Sequence, residues 1–127
     1  MLQVFKRRGF ARWQAAQHLP DSALCKAVQE MELGLIDAYL GAQLVKKRIG
    51  RAGAGKSGGY RTLVSARVGS RYVFLHGFAK SDQSNISELE RKALQFAGRV
   101  LLQLFDAPLQ QALQSGAMVK VNCGQHH

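Results

Sequence analysis

Between Asp37 and Asp82 the sequence holds no acidic residue and nine cations: Lys46, Lys47, Arg48, Arg51, Lys56, Arg61, Arg67, Arg71 and Lys80. Half of the eighteen Lys and Arg residues therefore fall in one stretch with nothing to neutralise them, in a chain of net charge +10. A merely solvated surface intersperses acids with its cations. An unopposed cluster points to a polyanion instead. The same stretch contains Tyr72, Phe74, His76 and Phe78, so cations, aromatic rings and an imidazole are available together, as a nucleic-acid surface requires.

Other chemistries find less support. Cys25 and Cys123 are too few and too far apart in sequence to suggest a disulfide framework, and no Cys/His spacing resembles a zinc site. His126 and His127 read as a tag remnant or a frayed tail, leaving residues 1–125 as a single domain. Gly50, Gly55, Lys56 and Ser57 match the phosphate-loop pattern letter for letter. That motif needs a helix directly after it, with its N-terminus aimed at the phosphates. Here Gly58-Gly59-Tyr60 and a strand-like run follow, so the match is formal only. No apolar run approaches the roughly 20 residues that span a bilayer. No signal-peptide core is apparent either, and a cytoplasmic location is the expectation.

The elements that position these residues can be read from periodicity. Leu2, Val4 and Phe5 suggest a first strand; Arg7 to Gln17 has no clear period, with Arg7, Arg8 and Arg12 expected to stay wet. Asp21 reads as the cap of a helix with the stripe Leu24, Val28, Met31 and Leu35. Leu44-Val45 starts a strand, and the five glycines between Gly50 and Gly59 predict a loop. Tyr60–Val68 and Arg71–Phe78 read as a hairpin with Gly69-Ser70 as a two-residue turn. That register puts Arg61, Leu63, Ser65, Arg67, Tyr72, Phe74, His76 and Phe78 on one face. A second helix is expected from Asn85, with Leu89, Ala93, Phe96, Ala97, Val100 and Leu104 as its buried stripe and Pro108 ending or kinking it. Met118 to Val121 would form a last strand. The expected fold is α+β, a small mainly antiparallel sheet with helices on one face.

Lys46-Lys47-Arg48-Ile49-Gly50-Arg51, Gly55-Lys56-Ser57-Gly58-Gly59-Tyr60-Arg61, and His76-Gly77-Phe78-Ala79-Lys80 with Asn85-Ile86 together resemble the RelE-type toxins of bacterial toxin–antitoxin pairs. Within the RelE/ParE/HigB superfamily the resemblance is to the subgroup carrying Gly-Lys-Ser-Gly-Gly-Tyr-Arg, and it covers most of the chain. It implies a RelE-like fold and an mRNA endoribonuclease acting on translated message at the ribosome, without metal or cofactor. The 2′-hydroxyl would attack the adjacent phosphate, leaving a 2′,3′-cyclic phosphate and a free 5′-hydroxyl. The loop and hairpin offer many cations and no paired carboxylates, which suits metal-free phosphoryl chemistry better than a two-metal site.

By the same resemblance, Arg61 is the transition-state phosphate clamp, Lys80 a second phosphate contact, and Lys56 a base or phosphate contact. Lys46, Lys47, Arg48, Arg51, Arg67, Arg71 and His76 would bind RNA. The general acid is left open, with His76 and Tyr72 as substitutes for a C-terminal residue that is absent here. The implied partner is a cognate antitoxin, a helix-turn-helix protein from an adjacent gene, expected to cover the basic surface at least in part. Two alternatives stand: a ParE-like inhibitor of DNA gyrase, and a nucleic-acid-binding module without catalysis.

Overall fold

A computed structural model of the protein describes residues 2–51, 55–80 and 85–124, without the side chains of 51 and 55–58. In chain order the elements are β1 (Gln3–Arg7), α1 (Arg8–Ala16), α2 (Asp21–Glu32), β2 (Ala38–Tyr39), β3 (Leu44–Arg51), β4 (Gly55–Arg67), β5 (Arg71–Ala79), α3 (Glu88–Leu102), α4 (Asp106–Ser115) and β6 (Met118–Lys120). The strands form one sheet in the order β2-β3-β4-β5-β1-β6. Only β1 and β5 run parallel; the other neighbours are antiparallel. The fold is α+β and RelE-like, as the sequence leads one to expect.

The helices, however, cover both faces. Side chains alternate along β5, so Tyr72 and Phe74 join a core with α1 and α2, while Val73 and Leu75 join a second core with α3 and α4. This corrects the expectation of helices on one face. The reason lies in the central strands: eight of the nine residues of β5 are buried, and a strand with both sides apolar needs a layer on each side.

The hairpin register is half as expected. Arg61 pairs with Phe78 and Leu63 with His76, but beyond a bulge at Leu63/Val64 the pairing slips by one, to Val64–Phe74 and Arg67–Arg71. The turn holds three residues rather than two, with Gly69 at φ +81° and Ser70 N–H donating to Arg67 O at 2.9 Å. The bulge sends Tyr72 and Phe74 to the face opposite Arg61. Much of the glycine-rich stretch is strand rather than loop, because β3 extends to Arg51 and β4 begins at Gly55. No helix follows Gly55-Lys56-Ser57, in keeping with the rejection of a phosphate loop.

Three local corrections bear on function. Helix α3 starts two residues later than expected, with Ser87 and Glu90 forming the capping box. Its buried stripe is Leu94, Gly98 and Leu102, and the expected stripe faces the other way: Leu89, Ala93, Phe96 and Val100 are all exposed. Gly98 decides this orientation. A Cβ built there would lie 1.7 Å from Ser65 Oγ, so the helix approaches β4 at its smallest residue, not its largest. Finally, Cys25 and Cys123 form a disulfide across a sequence separation of 98, joining α2 to the segment after β6. Their distance along the chain carries no information about their distance in space.

Candidate phosphate-facing site

The ladder brings three cations onto the α3 face. Arg48 lies directly opposite Arg61, which lies opposite Phe78; one step on, Lys46 lies opposite Leu63, which lies opposite His76. Residues paired across antiparallel strands share a face, so Lys46, Arg48, Arg61, His76 and Phe78 share this one. Towards the hairpin turn, the same face is covered by α3 at Ser65. Towards the glycine-rich end it carries these polar groups.

Arg61 is 8% exposed, and its Nη1 has no hydrogen-bond partner among the described residues. Arg48 is half open and shares Asp37, its guanidinium Nε 3.5 Å from the carboxylate. The two arginines repel each other across the ladder, and among the described residues only Arg48 has an acid beside it. His76 Nε2 is likewise buried without a partner, its ring 5.8 Å from that of Phe78. Burial pushes the His76 pKa down; Glu90 opposes the shift and Arg7 adds to it. The imidazole is therefore held towards its neutral form.

Arg7 belongs to this neighbourhood, although its sequence context suggested only a wet residue. It is half-buried at the end of β1, and its Nε donates to Leu75 O at 2.7 Å. Burial lowers its pKa. The missed signal was parity: Arg7 lies two residues beyond Phe5, which pairs with the α3-facing Val73 through Val4–Tyr72 and Phe5–Val73.

Other expected RNA ligands have structural employment. Lys47 points to the α2 face, 3% exposed, with Nζ 2.8 Å from Glu30 and 2.9 Å from Leu35 O. Arg71 is buried at the hairpin end. It donates to the carbonyls of Leu101, Leu102 and Leu104 and to Gln3, between the rings of Phe5 and Phe105. It thus satisfies carbonyls left open at the end of α3. Burial, and then Arg67, lower its pKa. Arg67 reaches Leu102 O at 3.4 Å, also far from Arg61. Tyr72 donates to Glu32 at 2.6 Å on the opposite face, which removes it from the neighbourhood of Arg61.

Lys80 is exposed, just past Ala79, which pairs with Tyr60; it therefore sits at the Arg61 end of the sheet. The side chains of Arg51 and Lys56 lie outside the described residues, while their backbones flank the same end of the β3–β4 hairpin. Among the described residues no three His, Cys, Asp or Glu side chains gather as metal ligands. No helix among them is long and apolar enough to cross a membrane.

A sheet with helices on both faces, carrying at one end guanidinium and imidazole nitrogens without a partner among the described residues, defines a small basic α+β protein. A family model described as the RelE toxin of the RelE / RelB toxin-antitoxin system matches residues 2–121. The chain belongs to the RelE toxin family: it is the toxin of a toxin–antitoxin pair, with a cognate antitoxin as its partner, in a family generally associated with endoribonucleases. No curated protein and no solved structure matches it.

Proposed function

We propose that this chain is a metal-independent mRNA endoribonuclease that cleaves translated message on the ribosome and so arrests translation and growth. The observation that carries the reading is Arg61: a buried cation, opposite another cation, whose Nη1 has no partner among the described residues. A polar group buried in that state costs stability. It becomes favourable when an anion arrives, and a phosphate acquiring charge in a transition state is such an anion.

In this reading Arg61 clamps the scissile phosphate, and Lys80 and Lys56 supply further charge at the same end of the sheet. Lys46, Arg48 and Arg51 hold the flanking backbone. His76, neutral and with a free Nε2, suits a proton acceptor for the 2′-hydroxyl better than a donor. Attack by the 2′-oxygen forms its bond to phosphorus as the P–O5′ bond breaks, giving the cyclic phosphate and a 5′-hydroxyl. Lys47, Arg67 and Arg71 act in folding rather than in binding.

The sequence motif Gly-Lys-Ser-Gly-Gly-Tyr-Arg supports a particular RelE subgroup for the chain, whose antitoxin would be a helix-turn-helix protein encoded nearby. The proposed location is the cytoplasm, where the message is. The Cys25–Cys123 bond cuts against a reducing compartment, and there the pair would stand as adjacent thiols. The test is cleavage of a message in a purified translation system. A gyrase inhibitor would leave RNA intact and block supercoiling, whereas a simple binding module would leave RNA intact and supercoiling unaffected.

A further inference from the structure

Helix α3 carries a second apolar stripe that none of the described residues covers. Leu89, Ala93, Phe96 and Val100 follow one another at steps of four, three and four. All are exposed, Leu89 at 79% and Phe96 at 65%. The stripe lies opposite Leu94, Gly98 and Leu102, which pack on the sheet. Exposed large apolar groups at this density are uncommon unless something docks on them. Steps of four and three are the a and d positions of a heptad, the spacing that seats a second helix and would not suit a strand. The stripe spans 12 residues, about 16 Å from first to last, or three helical turns.

The charges beside the stripe say what the second helix is like. In that heptad Lys92 and Arg99 are both g positions, and both are exposed. The e positions are Glu90, already used in the capping box, and Ala97. Flanking charges select partners, so the edge with Lys92 and Arg99 calls for acids. A second copy of this chain docked antiparallel would set Lys92 and Arg99 against Lys92 and Arg99, between two bodies of +10 each. Self-association is thus disfavoured, and an acidic partner favoured.

We propose that the exposed face of α3 is the docking surface for an amphipathic helix of the antitoxin, with Leu, Ile or Val along its seam and Glu or Asp facing Lys92 and Arg99. This rests on the toxin–antitoxin reading, and it separates the anchoring surface from the phosphate-facing end of the sheet. The antitoxin then has a hold that does not depend on neutralising Arg61.

The experiment uses the full-length toxin and its co-expressed antitoxin, separated and remixed, with Kd measured by titration at several salt concentrations. Three toxins are compared: wild type, Leu89→Gln/Phe96→Gln/Val100→Gln, and Lys92→Glu/Arg99→Glu. Each is checked for RNA cleavage when free, which should equal wild type because none of these residues belongs to the proposed phosphate-facing site. The apolar triple should bind at least about 30-fold more weakly, the loss of one interface hot spot. The charge-reversed variant should bind about tenfold more weakly and lose salt dependence. Unchanged affinity in both overturns the proposal. So does a wild-type toxin that dimerises alone and becomes monomeric on the triple substitution, because the occupant is then a second copy. If wild type binds no antitoxin at all, the toxin–antitoxin reading itself fails, an outcome visible before any variant is made.

Discussion

Arg48 and Arg61 stand directly opposite each other on β3 and β4, and the more deeply buried of the two has a guanidinium nitrogen with no partner among the described residues. Like charges placed across a ladder pair destabilise a sheet. Among the described residues only Arg48 has relief, from Asp37. In the proposed reading this arrangement weakens the free protein and an anion makes it good.

One consequence is a trade between stability and activity. Arg61→Leu, which replaces the charged side chain with a shorter apolar one, should stabilise the fold by about 1 kcal/mol and raise Tm by about 3 °C. It should abolish cleavage. Thermal unfolding decides the first part, and a lowered Tm would mean that Arg61 has a folding partner after all.

His76 should impose an acid limit on cleavage. If the neutral imidazole takes the proton, kcat/KM falls with pH only below the ordinary histidine value of 6.5, because burial lowers the pKa in the folded protein. The groups facing it are Arg7 from β1, which lowers the pKa, and Glu90 from α3, which opposes burial. Arg61 and Lys46 add positive charge from β4 and β3. Stability follows the same sign. The unfolded state takes the proton first, so stability is lost as pH falls from 6.5 to the folded value. His76→Gln should flatten both profiles, and an unmoved acid limb would assign the limit to another group.

Salt dependence should sort the cations. Replacing Lys46 and Arg48 with Gln should reduce the slope of log K for RNA against log salt by about 1.4, at 0.7 per phosphate contact on a single strand. Lys47→Gln should instead remove the 2.8 Å ion pair to the partly buried Glu30 and lower stability by about 2 kcal/mol, with the slope per folded molecule unchanged. Binding isotherms on folded protein distinguish the two.

Much of this was legible in the sequence, and the failures have physical causes. Arg61, His76 and Phe78 could be placed on one face from the hairpin alone, since alternation needs only a turn and a register. Tyr72 and Phe74 could not, because a bulge has no reliable sequence mark. Lys47 and Arg71 look like RNA ligands, since charge is normally exposed; burying them requires Glu30 and the end of α3, which are distant in sequence. The orientation of α3 was misread because it has two apolar faces, and the larger side chains lie on the outer one.

That orientation is itself testable. Gly98→Val would drive a side chain into Ser65 and Leu75 and should cost about 3 kcal/mol. Phe96→Gln, on the exposed face, should change stability by less than about 0.5 kcal/mol. Chemical denaturation of both variants would show the reverse order if Phe96 were the buried residue.

The central claim is tested most directly by the ends of the RNA that the protein makes. A 5′-labelled message in a purified translation system, treated with wild-type protein in the presence of a metal chelator at a level the ribosomes tolerate, should give fragments ending in a 2′,3′-cyclic phosphate. The downstream fragments should carry a free 5′-hydroxyl, and Arg61→Leu should give neither. Fragments with a 3′-hydroxyl and 5′-phosphate, or full cleavage by folded Arg61→Leu, would contradict it.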